Sequence, residues 1–158
     1  MNSSGYNEVN YEELGELVKQ VLEDKKTLAQ VNNVSESELN NLYVEAVAHY
    51  AAEEMDEALT KFTYLVMNNP WNRLYLVGLA SCLHAEKQYQ NAMVFYGYAA
   101  MMDARDAAVT FRIGQCFNSL GMMKEAIEAL QTSIDQSYVS PVQPDVRSLA
   151  QSALYSIQ

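Results

Sequence analysis

The triplets Asp56-Glu57-Ala58, Gln90-Asn91-Ala92 and Lys124-Glu125-Ala126 stand 34 residues apart, and this period constrains the fold more than any other feature of the chain. Taking each of these alanines as position 20 of a repeat puts Ala46, Ala80 and Gly114 at position 8. Position 24 is then Phe62, Tyr96 and Leu130, and position 27 is Leu65, Ala99 and Ser133. Between Glu36 and Asp135 the apolar residues recur at helical spacing, without the sustained alternation of a strand. A unit of this length fits two antiparallel helices and their turns. Small residues at positions 8 and 20 let the helix backbones approach, and larger ones at 24 fill the space beside them. The expected fold class is all-α, built from three stacked helix pairs.

A helix pair with this period and pattern is the tetratricopeptide repeat. Pro70 falls at position 32 of the first repeat, where the pattern places proline, while Ala104 and Tyr138 hold that position later. Position 4 carries Leu42, Leu76 and Thr110 in place of tryptophan. Position 15, the turn inside each pair, carries Glu53, Lys87 and Gly121 where glycine is usual.

A superhelix of such repeats leaves an open core at each end, which terminal segments must cover. Toward the N-terminus Leu14, Leu17, Val18, Val21 and Leu22 follow i, i+3, i+4, i+7, i+8 spacing, an apolar stripe on a helix of about four turns. A break around Asp24 to Thr27 precedes a short apolar piece at Leu28 and Val31. Ser35 with Glu38 is a Ser-x-x-Glu capping box that opens the first repeat. At the other end Pro141 and Pro144 stop the third repeat's extension, and Asp145 is the expected N-cap of a final helix. Val146, Leu149, Ala150, Ala153, Leu154 and Ile157 are expected to form its apolar face. The expected organisation is an N-terminal amphipathic helical segment (1–35) suited to self-association, three repeats (36–140) and a C-terminal capping helix (141–158).

Composition narrows the function. The 158 residues suit one domain, and 49% apolar against 19% charged residues is the balance of a folding chain. Twenty acidic and ten basic residues give a net charge of −10. That argues against nucleic acid or anionic lipid as partner, since phosphates are held by a cationic footprint. No apolar run approaches the ~20 residues of a membrane span, so direct membrane insertion is not expected. Met1 to Asn10 is polar, without a basic cluster or an apolar core, so a secretory signal is not expected and a cytoplasmic location is.

No nucleotide-binding loop, nucleophile elbow or zincin motif occurs, so neither an enzyme nor a cofactor is expected. The two histidines, His49 and His84, have no companion at zinc-ligand spacing, so no metal is expected either. Cys82 and Cys116 both fall at position 10 of consecutive repeats. Stacked helices hold such positions about 8–10 Å apart, beyond disulfide reach, so both read as small packing residues. The eight methionines, among them Met101, Met102, Met122 and Met123, fit either an adaptable apolar surface or gaps in the stack.

The remaining candidate is the concave face, lined by positions 2, 5, 9 and 12 of each first helix. These are Asn40, Tyr43, Val47 and Tyr50, then Leu74, Val77, Ser81 and His84, then Ala108, Phe111, Gln115 and Asn118. Tyr43 and Tyr50 either pack in the stack or wall a groove. As walls, rings and aliphatic groups with a few hydrogen-bonding partners suit an extended, partly apolar peptide. With Tyr43, Val77 and Phe111 at position 5, and no Lys or Arg among these twelve, a clamp for a C-terminal carboxylate is not expected.

The order of segments carries a resemblance. An N-terminal amphipathic helix and a Thr27-Leu28 step precede Leu42-Tyr43 with Tyr50 and Met55-Asp56-Glu57-Ala58. Phe62, Pro70-Trp71-Asn72, Tyr75, Gly78-Leu79-Ala80, Gln88-Tyr89-Gln90-Asn91-Ala92 and Gly114-Gln115-Cys116 follow. From about Glu12 to the C-terminal helix the chain resembles the class II chaperones of bacterial type III secretion, which serve hydrophobic translocator proteins. The resemblance implies a small acidic cytoplasmic protein, a homodimer through its N-terminal region. It also implies that a proline-bearing translocator segment lies extended in the groove, with pockets formed in part by Tyr43 and Tyr50. Val47 stands where relatives often have another aromatic, which alters one pocket. The competing expectation is a tetratricopeptide scaffold subunit fixed in a larger assembly.

Overall fold

A computed structural model describes residues 9–24 and 27–157, the side chains at 17, 20, 21, 24, 31 and 32 excepted. Among the described residues the chain forms nine helices and no strand: α1 (Tyr11–Asp24), α2 (Leu28–Asn32), α3 (Glu36–Ala51), α4 (Met55–Asn68), α5 (Arg73–Ala85), α6 (Tyr89–Met102), α7 (Ala107–Ser119), α8 (Met123–Gln136) and α9 (Pro144–Ile157). Helices α3 to α8 pair as α3/α4, α5/α6 and α7/α8, and each pair packs on the next. This is the tetratricopeptide superhelix.

The repeat is written in backbone hydrogen bonds as well as in side chains. At the three inner turns Glu54, Gln88 and Met122 donate their N–H groups to the carbonyls of His49, Leu83 and Phe117. This is the closure of a Schellman motif, which needs a left-handed residue just before the donor. That residue is at repeat position 15: Glu53 (φ 61°), Lys87 (φ 60°) and Gly121 (φ 74°). The first two repeats therefore hold a side chain where only glycine is free of strain. The outer turns repeat too. Asn69 and Asp103 accept the N–H groups of Trp71 and Arg105, and Asn72 and Asp106 cap α5 and α7.

Every residue placed at positions 8, 20, 24 and 27 is buried. At the first junction between repeats the fit is tight, because a Cβ on Gly78 would fall 2.1 Å from Phe62 Cε1. Within the third repeat Gly114 on α7 sits under Leu130 on α8, whose Cδ2 lies 3.0 Å from where a Cβ would stand. Polar links fix the register within and between repeats. Arg73 bonds the Ala99 carbonyl at 3.0 Å and pairs with Asp106, and Ser133 Oγ donates to the Ala107 carbonyl at 2.8 Å.

The ends of the stack are closed by different means. Helix α1 lies across α4 and α6, the second helices of two repeats, and α2 packs on α4. Leu14 and Val18 are buried in that contact and Leu22 is half-buried, while the side chains of Leu17 and Val21 lie outside the described residues. The part of the stripe expected to mediate self-association is therefore occupied within the protomer, because the outer surface of α4 and α6 offers it an apolar seat. Thr27 caps α2 and Ser35 caps α3, each with a reciprocal capping box. Helix α9 covers the other end, with Val146, Ala150, Ala153, Leu154 and Ile157 against Phe111, Leu130 and Ile134. Two expectations shift here. Leu149 is 56% exposed, off that face. Pro144 is the first helical residue, so Asp145 sits inside the first turn rather than capping it. Proline suits that place because its missing N–H has no intrahelical partner there.

The Gly78–Phe62 contact gives a sign-reversed expectation. Alanine usually stabilises a helix interior over glycine. Gly97→Ala, with no atom within 4 Å of the new methyl, should follow that rule and add about 0.5–1 kcal/mol. Gly78→Ala should instead cost about 1–3 kcal/mol through overpacking against Phe62. Urea unfolding of the two variants beside wild type checks both signs.

Candidate functional site

The inner face is built by the first helix of each repeat, α3, α5 and α7, on the side away from α1. Tyr43 and Tyr50 are half-buried, each with one side against the main core. The Tyr43 ring meets Phe62 edge-on at 6.1 Å between centroids and lies tilted against Tyr75 at 5.7 Å. The tyrosines thus pack and also wall the face. Asn40, Val47 and Leu74 are exposed, the latter two at 42% and 55%, and Val77 is half-buried beside them. Exposed Val44 extends this apolar strip along α3.

Further along the face, four polar groups converge. Ser81 Oγ donates to the Val77 carbonyl at 2.8 Å, which leaves its oxygen free to accept. The buried Tyr96 hydroxyl reaches from α6 to within 3.4 Å of Ser81 Oγ and 3.3 Å of His84 Nδ1. Cys116 Sγ on α7 lies 3.7 Å from the same His84 nitrogen. The His84 ring also meets the edges of Tyr89 and Tyr96 at 5.6 and 6.0 Å. Gln115 Oε1 is buried without a hydrogen-bond partner.

Of the residues expected in the groove, Phe111 is elsewhere. It is buried with Leu130, Ile134 and Ala150, because α9 closes over this part of α7. Ala108 is half-buried and Asn118 exposed. Tyr75, Tyr96, Cys116 and Arg112 were not among the expected groove residues. The signal for Tyr96 was present, since a buried phenol at position 24 must find a hydrogen-bond partner.

The electrostatics keep this cluster uncharged. Burial pushes the Tyr96 phenol up to about 12 and the Cys116 thiol up to about 11. Burial and then the nearby Arg112 guanidinium lower His84 below its ordinary value. Cys82, buried deeper in the stack, is raised to about 12 by burial and by Glu86. Neither thiol is a nucleophile at neutral pH, and both cysteines are free. His49 instead pairs with Glu54 at the first inner turn. Among the described residues no three His, Cys, Asp or Glu side chains gather as a metal site, and no helix is long and apolar enough to cross a membrane.

A depressed histidine is linked to stability. The unfolded chain holds the His84 proton more tightly than the folded one, so stability is lost as pH falls from about 6.5 through the folded value. His84→Gln should flatten that part of the stability–pH curve. Urea midpoints measured at half-unit steps from pH 7.5 to 5 check this, and an unchanged slope refutes it.

Comparison with known proteins follows the same line. No family profile matches the chain. The chaperone protein SicA of Salmonella typhimurium is 30% identical over 125 residues, 79% of this chain and 74% of that protein. The crystal structure of a T3SS complex from Aeromonas hydrophila superposes with a TM-score of 0.80 and 27% identity, over 89% of this chain and 93% of that one. PcrH in complex with the chaperone binding region of PopD gives 0.75 and 25%, over 78% and 93%. SycD of Yersinia enterocolitica with a peptide of the translocator YopD gives 0.73 and 25%, over 78% and 95%. Period, fold and relatives agree, and the chain belongs to the class II chaperones of type III secretion.

Proposed function

We propose that this chain binds hydrophobic translocator proteins of a type III secretion system stoichiometrically, in the cytoplasm, and keeps them unassembled before secretion. The bound element is an extended, partly apolar segment lying along Asn40, Tyr43, Val47, Tyr50, Leu74, Val77, Ser81, His84 and Gln115. The observation that carries this reading is the combination on one face of exposed Val47 and Leu74, half-buried Tyr43 and Tyr50, and the neutral cluster at Ser81 and His84. Exposed aliphatic groups take apolar side chains, and uncharged hydroxyl, imidazole and amide groups satisfy a peptide backbone without the desolvation cost of a charge. PcrH and SycD, which share the fold, were solved with a translocator's chaperone binding region and a translocator peptide. A translocator carries long apolar stretches that aggregate when free. Holding them requires burial and no catalytic step. The chain's net charge of −10 keeps such a complex dispersed.

Tyr50→Ala should weaken binding of the translocator segment by about 1–3 kcal/mol, the range of an interface anchor, with little change in helical circular dichroism. Titration calorimetry checks this, and an unchanged affinity removes Tyr50 from the site. Capture from the native cytoplasm with secretion blocked, read by mass spectrometry, tests the partner class. Recovery of one or two large proteins with apolar spanning segments supports the chaperone. Recovery of assembly subunits alone supports the scaffold.

Self-association belongs to the same proposal. With Leu14 and Val18 seated on α4 and α6, a homodimer through α1 forms by its outward face or by exchange of the helix between protomers. Sedimentation equilibrium of the full chain beside a chain beginning at Ser35 should show the shorter one monomeric and less stable to heat. Equal dimerisation of the two would place the interface outside α1 and α2.

A further inference from the structure

One arginine stands beside the neutral polar cluster of the inner face. Arg112 is exposed on α7, one helical turn before Cys116, and Cys116 Sγ touches His84 across the face at 3.7 Å. Residues four apart lie on the same face of a helix, so Arg112 stands beside the Ser81–Tyr96–His84–Cys116 cluster. Its field reaches Tyr96, His84 and Cys116 alike. The other three arginines are engaged within the chain: Arg73 with Asp106 and Ala99, Arg105 with Asp103, and Arg147 with Ser137 and the Tyr138 ring. Among the described residues Arg112 is the one arginine with neither an ion-pair nor a hydrogen-bond partner. In a chain with twice as many acids as bases, an unpaired arginine beside the groove is available to an incoming anion.

We propose that Arg112 reads an Asp or Glu side chain in the bound translocator segment and so fixes the segment's register in the groove. This rests on the groove-binding reading above and adds the chemistry of one position to it. A guanidinium presents paired donors that match a carboxylate in a bidentate fork. The flanking Ser81, Tyr96 and His84 groups are uncharged, so no second cation shares the carboxylate and no fixed anion competes for Arg112 inside the cluster. The apolar walls at Val47, Tyr50, Leu74 and Val77 take the rest of the segment with little directionality. A single charge contact supplies the direction and offset that an apolar groove lacks.

The test is a selection from a displayed library of random 12-residue peptides against the full chain in four forms: wild type, Arg112→Gln, Arg112→Glu and Tyr50→Ala. Wild type should enrich apolar peptides that share one acidic position. Arg112→Gln should keep the apolar preference and lose the acidic one. Arg112→Glu should replace it with Lys or Arg at the same position, a reversal that a folding defect cannot produce. For a selected peptide, Glu→Gln should weaken binding to wild type roughly tenfold at low salt, with less effect at high salt and almost none against Arg112→Gln. Apolar peptides selected without an acidic position would overturn the role of Arg112 and leave the groove intact. So would an equal loss of all peptides with Arg112→Gln, which would mean contact with peptide carbonyls. If wild type selects no peptide, or Tyr50→Ala selects the same ones, the groove reading itself fails and this proposal with it.

Discussion

The structure depends on how closely the helix backbones approach one another. Ala58, Ala92 and Ala126 on the second helices, with Ala46, Ala80 and Gly114 on the first, are all buried. A larger side chain at any of them would push a helix pair apart, and every later repeat would be displaced with it. Phe62 against Gly78 shows how little room remains, since the ring fills the space a Cβ would take. The next junction solves the same problem differently. Tyr96 occupies the place of Phe62 and Arg112 the place of Gly78, so a ring on a glycine gives way to a phenol beside a long cationic side chain. The first junction is sealed and apolar. The second opens a polar cluster onto the inner face. The site arises from that difference between two otherwise equivalent positions.

Much of this was legible in the sequence, for reasons that can be traced. The 34-residue spacing of three alanines gave the helix pairs, because close packing tolerates few residue types at those positions. Glu53 and Lys87, departures from the usual glycine, sit in the same left-handed turn as Gly121. A Schellman closure with two flanking helices already packed on each other imposes the conformation whatever the residue. What the sequence did not disclose depends on partners distant along the chain. Phe111 shares its repeat position with Tyr43 and Val77, but α9 covers it, and no positional rule for a repeat includes the helix that ends the array. Leu14 and Val18 form a stripe whose spacing specifies amphipathicity and leaves its seat unspecified. The seat is the outer side of α4 and α6. His84 and Cys116 are 32 residues apart, a separation that matches no metal-ligand spacing, and they meet only because consecutive first helices lie side by side.

The chemistry of the inner face follows from burial. Tyr96 and Cys116 hold their protons and His84 resists gaining one, so the cluster offers hydrogen bonds without charge near neutral pH. That suits a peptide backbone, whose N–H and C=O groups are neutral and must all be paired when water is excluded. A face lined with carboxylates or ammonium groups would bind salt and water in competition with such a segment. The chain's many acids are placed elsewhere, for example Glu53, Glu54, Asp56 and Glu57 around the first inner turn, where they remain solvated.

The N-terminal helix occupies the opposite surface. Because α1 contacts α4 and α6 and none of α3, α5 or α7 to a comparable extent, its packing does not consume the inner face. The proposed peptide groove and any self-association through α1 therefore lie on different surfaces of one stack, and a peptide in that groove would not have to displace the helix. They are coupled only through the helix pairs between them. Gly15 lies 3.3 Å, by the position of an added Cβ, from Val94 on α6, and the Tyr98 hydroxyl bonds the Gly15 carbonyl at 3.4 Å. Helix α6 carries on one side this seat for α1 and on another the Tyr96 phenol that supports the groove. A shift of α1 that moves α6 changes the height of that phenol beneath Ser81 and His84. Exchange of α1 between protomers would leave α6 covered by an identical helix, whereas departure of α1 without replacement uncovers α6, the helix that carries Tyr96 beneath the proposed groove.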